Sequence, residues 1–140
     1  MVNKEERIMG IDFGEKRIGI ALSDPFHLFA YPFKTLINDS KFWIQIGNII
    51  KEKNVSKILL GLPSASGVSS NVFRNKVEKF KAEIEKKLKI IVIFWDEEFT
   101  SSIAKEKVME SVTKKAKRRD KSLIDSLAAA IILQEYLDAQ

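Results

Sequence analysis

Apolar and polar positions along this chain fall into segments whose period marks strands and helices. From about Arg7 to Leu36, three short runs, RIMGID, KRIGIALS and LFAYPFKTL, read as strands, with Gly14 and the pair Asp24 and Pro25 supplying the turns. Their close spacing predicts an antiparallel meander. Asn38, Asp39 and Ser40 offer N-caps for a helix over FWIQIGNIIKEKN, and KILLGL follows as a continuous apolar strand. The small polar residues of PSASGVSSN read as a loop. Phe73, Val77, Phe80, Ile84 and Leu88 then recur at three- and four-residue spacing, the mark of an amphipathic helix with Lys and Glu on its other face. IIVIFW is another buried strand, TSSIAKEKVMES a helix, KKAKRRDK a loop, and LIDSLAAAIILQEYL a closing helix.

Strands that alternate with helices in the second half require parallel pairing and right-handed crossovers, while the opening meander adds antiparallel strands. The expected architecture is α/β: a mixed five-stranded sheet flanked by helices, its first three strands an antiparallel meander and its fourth and fifth parallel. No repeat, low-complexity segment or composition break interrupts the 140 residues, so residues 1–140 are expected to form a single domain. The charged start MVNKEER leads straight into a strand-like segment and no apolar run has the length of a membrane span, which points to a cytoplasmic protein with no membrane partner.

Composition narrows the chemistry. There is no cysteine and only His27, which excludes disulfides, thiolate catalysis and Cys or His metal clusters and leaves carboxylates and hydroxyls. The net charge of +5 is concentrated: Lys114, Lys115, Lys117, Arg118, Arg119 and Lys121, offset only by Asp120, carry all of it within one octet. Like charges packed this closely repel, so the octet is either a solvated loop or a patch for a polyanion such as a phosphate backbone.

Three acids stand at the polar ends of apolar segments: Asp12 after RIMGI, Glu97 after IIVIFW, and Asp125 at the start of DSLAAAIILQEYL. A carboxylate beside apolar core must be solvated, paired or bound to a cation. In a sheet of this type the ends of the first and last strands share one rim, and Ala128, Ala129 and Ala130 let the closing helix pack near enough to bring Asp125 over it. Three gathered carboxylates suit hard divalent cations. Two Mg²⁺ or Mn²⁺ ions roughly 4 Å apart would activate a water and stabilise the leaving oxygen in phosphodiester hydrolysis. Each acid also has a structural reading: an Asp-x-Gly turn at Asp12, a helix-favouring acidic cluster at Asp96, Glu97 and Glu98, and a capping box between Ser122 and Asp125. Composition does not choose among the three consecutive acids.

The segments MGIDFGEKRIGIALSDP, ILLGLP, VIFWDEEFTS and KSLIDSLAAAIILQEYL, in that order and at those separations, resemble the YqgF/RuvX family over nearly the whole chain. Those are bacterial proteins with a ribonuclease H-like fold, described as Holliday-junction resolvases and as nucleases that mature the 5′ end of pre-16S rRNA. The resemblance implies that Asp12, Glu97 and Asp125 are catalytic metal ligands, and it selects Glu97 from the acid cluster. It also implies that Arg17 and the hydroxyl of Thr100 are supporting nucleic-acid contacts, Arg17 being equally able to pair with an acid. Two departures stand out. Glu98 occupies a position where the family usually carries Arg, and SASG across Ser64 to Gly67 replaces a stretch with Asn and Asp-Gly. The expected protein is a Mg²⁺- or Mn²⁺-dependent nuclease, most simply one that processes the 5′ end of pre-16S rRNA. The alternatives are a resolvase of branched DNA or a catalytically weakened RNA-binding assembly factor. Oligomeric state is left open, since a resolvase favours a two-fold dimer and an rRNA nuclease does not need one.

Overall fold

The computed structural model describes residues 6–62, 68–97, 103–104, 106–109 and 122–140. Strands β1 (Arg7–Asp12), β2 (Arg17–Ser23) and β3 (Ala30–Ile37) lead into helix α1 (Phe42–Glu52). Strand β4 (Val55–Leu62), helix α2 (Val68–Leu88) and strand β5 (Ile91–Asp96) follow, and helix α3 (Ser122–Asp138) closes the chain. Residues 103–104 and 106–109 are helical. The five strands make one sheet in the order β3-β2-β1-β4-β5. β1–β2 and β2–β3 pair antiparallel, whereas β1–β4 and β4–β5 pair parallel. This is the mixed α/β sheet that the pattern predicts. Among the described residues no helix is long and apolar enough to cross a membrane.

Side chains alternate across each strand, so each strand serves both faces of the sheet. Met9, Ile11, Ile18, Ile20, Leu22, Ile58 and Leu60 face α1 and α2, where Phe42, Ile46, Val77, Phe80 and Ile84 complete the core. Burying one such side chain contributes about 1.5–3 kcal/mol. Their neighbours Ile8, Ala21 and Leu59 face the other way, onto Ala129, Ala130, Ile132 and Leu133 of α3. Asp12, two and four residues beyond Gly10 and Ile8, therefore belongs to the α3 face.

Two local expectations are corrected. Residues 68–71, read as loop, begin α2. Ser and Asn are poor helix formers and disguise that first turn; one turn on, Phe73 packs against Phe13 with ring centroids 5.9 Å apart. Helix α1 has Lys41 at its N-cap with no side-chain cap hydrogen bond. Asp39 acts one step earlier, its Oδ1 accepting the Lys41 N–H at 2.9 Å, so the carboxylate closes the turn into the helix instead of capping it.

Candidate functional site

Strands β1, β4 and β5 run parallel and end at one rim. Ile11 pairs with Leu60, and Leu62 pairs with Asp96, so Asp12 and Glu97 emerge from neighbouring positions at that edge of the sheet. On the antiparallel side Asp12 pairs with Gly19 of β2. Helix α3 then crosses the sheet so closely that its backbone touches the strands. A Cβ on Gly19 would overlap the Asp125 carbonyl, and a Cβ on Gly10 would stand 2.8 Å from the Ala129 carbonyl oxygen. On Gly61 it would meet Ile132 Cδ1 at 2.7 Å and Glu97 Oε2 at 3.0 Å. The three glycines are a floor on which α3 lies, and they bring the start of that helix over the rim.

The far end of α3 is fixed as well. Gln134, 1% exposed, accepts the Ala30 N–H through Oε1 at 2.8 Å and donates through Nε2 to the Leu28 carbonyl at 3.0 Å. A helix clamped at both ends holds Asp125 at a set height above β2.

The electrostatics follow from that placement. Burial, and then the negative charges of Glu97 and Asp125, push the Asp12 carboxyl up from 3.8 to about 7. Glu97 is also raised above the ordinary carboxylate range, by burial first and by the charge of Asp96 second. Asp125 has a counter-charge, since Arg17 Nε stands 2.9 Å from its Oδ2. Arg17, Gly19 and Ala21 share one face of β2, which is why the guanidinium reaches an acid 108 residues away.

The structure thus brings Asp12, Glu97, Asp125 and Arg17 to one rim. Thr100, Lys114, Lys115, Lys117, Arg118, Arg119 and Lys121 lie outside the described residues. The donor set suits a hard divalent cation: three half-buried carboxylates crowd one rim, and their mutual repulsion is what such an ion relieves. Among the described residues no three Asp, Glu or His side chains stand arranged to hold an ion as they are, and the Asp125 carboxylate is turned to Arg17. Sequence reasoning missed Gly19 and Gly61 as parts of this site. Their signal was present, because a glycine inside an apolar strand marks a close approach by other backbone or ligand.

Comparisons with known proteins agree on the kind of molecule. The profile of the family RuvX, described as Holliday junction resolvase, matches residues 6–139. A protein of Sulfurihydrogenibium sp. (strain YO3AOP1) named "Putative pre-16S rRNA nuclease" is 43% identical over 136 residues, spanning 94% of this chain and 90% of that protein. A protein of Clostridioides difficile (strain 630) with the same name is 41% identical over 134 residues, spanning 94% of each. Among solved structures, T. thermophilus RuvC in complex with Holliday junction substrate superposes with a TM-score of 0.59 at 14% identity, covering 96% of both chains. At that identity the likeness establishes the ribonuclease H-like fold.

Proposed function

Since the chain belongs to the RuvX family of nucleases, we propose that it is a divalent-metal-dependent endonuclease of the bacterial cytoplasm that trims the 5′ end of pre-16S rRNA. The observation that carries this reading is the crowding of Asp12: a half-buried carboxyl with its pKa raised to about 7 by desolvation and by the charges of Glu97 and Asp125 directed against it. Such an arrangement costs stability when nothing binds there, and binding of a cation removes the cost.

In this reading Asp12, Glu97 and Asp125 would hold Mg²⁺ or Mn²⁺, as one or two ions, and Arg17 and Thr100 would contact the phosphates beside the scissile bond. When bound, the metal supplies activation of a water and stabilisation of the leaving oxygen. The chain's own contribution is placement. The strand ends fix Asp12 and Glu97, and the glycine floor fixes Asp125. Lys114, Lys115, Lys117, Arg118, Arg119 and Lys121 grip the substrate backbone.

The choice of RNA follows the names of the curated relatives. The test is a cleavage assay with precursor small-subunit rRNA and four-way DNA junctions in Mg²⁺ and in Mn²⁺. Precursor cleavage that EDTA abolishes, and that Asp12→Asn lowers by about 10³-fold through loss of a ligand worth several kcal/mol, is the expected result. Full activity in Asp12→Asn sinks the site. Junction cleavage without rRNA cleavage transfers the assignment to branched DNA, and tight RNA binding with neither cleavage makes the protein an assembly factor.

A further inference from the structure

We infer that Arg17 is a latch on the metal site: it neutralises Asp125 in the metal-free protein and must swing away before a divalent ion is held there, which frees it to meet the substrate phosphate. The inference rests on the metal-dependent reading above and adds an order of events to it.

Arg17 Nε lies 2.9 Å from Asp125 Oδ2, and the Asp125 backbone is pressed against Gly19, two residues along the same face of β2. The pair is therefore held from both sides, by the strand that carries Arg17 and by the helix contact that carries Asp125. A divalent ion sits roughly 2.0–2.6 Å from a carboxylate oxygen. An ion on Asp125 would thus come within a few ångströms of a guanidinium that cannot lose its proton, and the two cations repel. Their repulsion favours the departure of one, and Arg17 is able to leave: its side chain is 61% exposed against 27% for Asp125. Turned outward from the first residue of β2, Arg17 remains at the rim, where its fork suits a phosphate. Ion loading and substrate grip are then coupled, because the event that completes the metal site also releases the phosphate contact.

The test is calorimetric titration of the metal-free protein with Mn²⁺, comparing wild type, Arg17→Gln and Lys16→Gln. Lys16 is exposed and adjacent, so its loss changes the local field without touching the pair. Removing the competing cation from a solvent-exposed pair is expected to tighten Mn²⁺ binding about two- to five-fold in Arg17→Gln and to leave Lys16→Gln at the wild-type value. At saturating Mn²⁺, Arg17→Gln is then expected to raise KM for the nucleic acid with a smaller change in kcat. Weaker Mn²⁺ binding in Arg17→Gln overturns the latch and makes Arg17 a support that orients Asp125 for the ion. Equal tightening in both variants also overturns it, leaving only a field effect. Absence of Mn²⁺ binding in every variant, including wild type, overturns the metal reading itself and the latch with it.

Discussion

On one face of the sheet Phe42, Ile46 and Phe80 meet Met9, Ile11, Ile20 and Leu60 side chain to side chain; on the other, the backbone of α3 rests directly on Gly10 and Gly19. The first face is filled by volume. Phe80 stacks with Phe13, Phe42 and Trp43 at centroid distances of 4.6, 5.7 and 5.9 Å, a cluster that buries much area and tolerates small adjustments. The second face is filled by proximity: small residues bring a helix within backbone contact, which fixes position more than it adds burial. All the candidate site residues that the structure describes lie on the second face. A rim that must hold three carboxylates in register gains more from a helix that cannot slide than from one that is merely well buried.

The contrast can be broken from either side. Phe42→Ala removes a side chain that is 1% exposed from the volume-filled face. It is expected to destabilise the fold by about 3–5 kcal/mol in urea denaturation while leaving cleavage per folded molecule near wild type. If cleavage per folded molecule falls as well, the two faces are not independent. Gly19→Ala is the converse experiment. The added methyl must displace the start of α3, at an expected cost of about 1–3 kcal/mol, smaller than for Phe42→Ala. Because Asp125 moves with the helix, a shift of about 1 Å is expected to lower cleavage by roughly 10²-fold. A Gly19→Ala protein with full activity would show that α3 is not what sets the site.

A third experiment uses protons. In the folded, metal-free protein the Asp12 carboxyl keeps its proton up to about pH 7, whereas the unfolded chain releases it near pH 3.8. Between those values the folded state binds more protons than the unfolded one, so stability is full at the low end and falls as pH rises towards 7. Glu97, also raised, adds to the same slope. Thermal unfolding across this window in EDTA is expected to show Tm falling with pH, and Asp12→Asn is expected to remove most of that fall. Added Mn²⁺ should restore Tm most at the alkaline end, where Asp12 is ionised and able to bind it. A flat Tm profile for the metal-free wild type contradicts the crowding of Asp12.

Much of this was legible in the chain. The apolar runs announced every strand, because a buried strand needs apolar neighbours whatever its partners are. The order of strands and helices then allowed few topologies. Asp12, Glu97 and Asp125 were also visible one by one, each as a charge placed where an apolar segment ends. Period and composition left Glu97 undistinguished from Asp96 and Glu98, and it was the family resemblance that singled it out. In the structure Asp96 pairs within the sheet opposite Leu62, while Glu97 stands over Gly61 with its charge felt at Asp12.

What the sequence by itself determined was the set of elements and their order, since hydrophobic period is a local property that each segment carries alone. The partner of Arg17 and the purpose of Gly19 and Gly61 were decided only by tertiary structure. Each depends on surfaces far apart in the chain, as the 108 residues between Arg17 and Asp125 show. A salt bridge or a backbone contact exists only once the sheet and α3 are packed, and no local pattern encodes the distance between them.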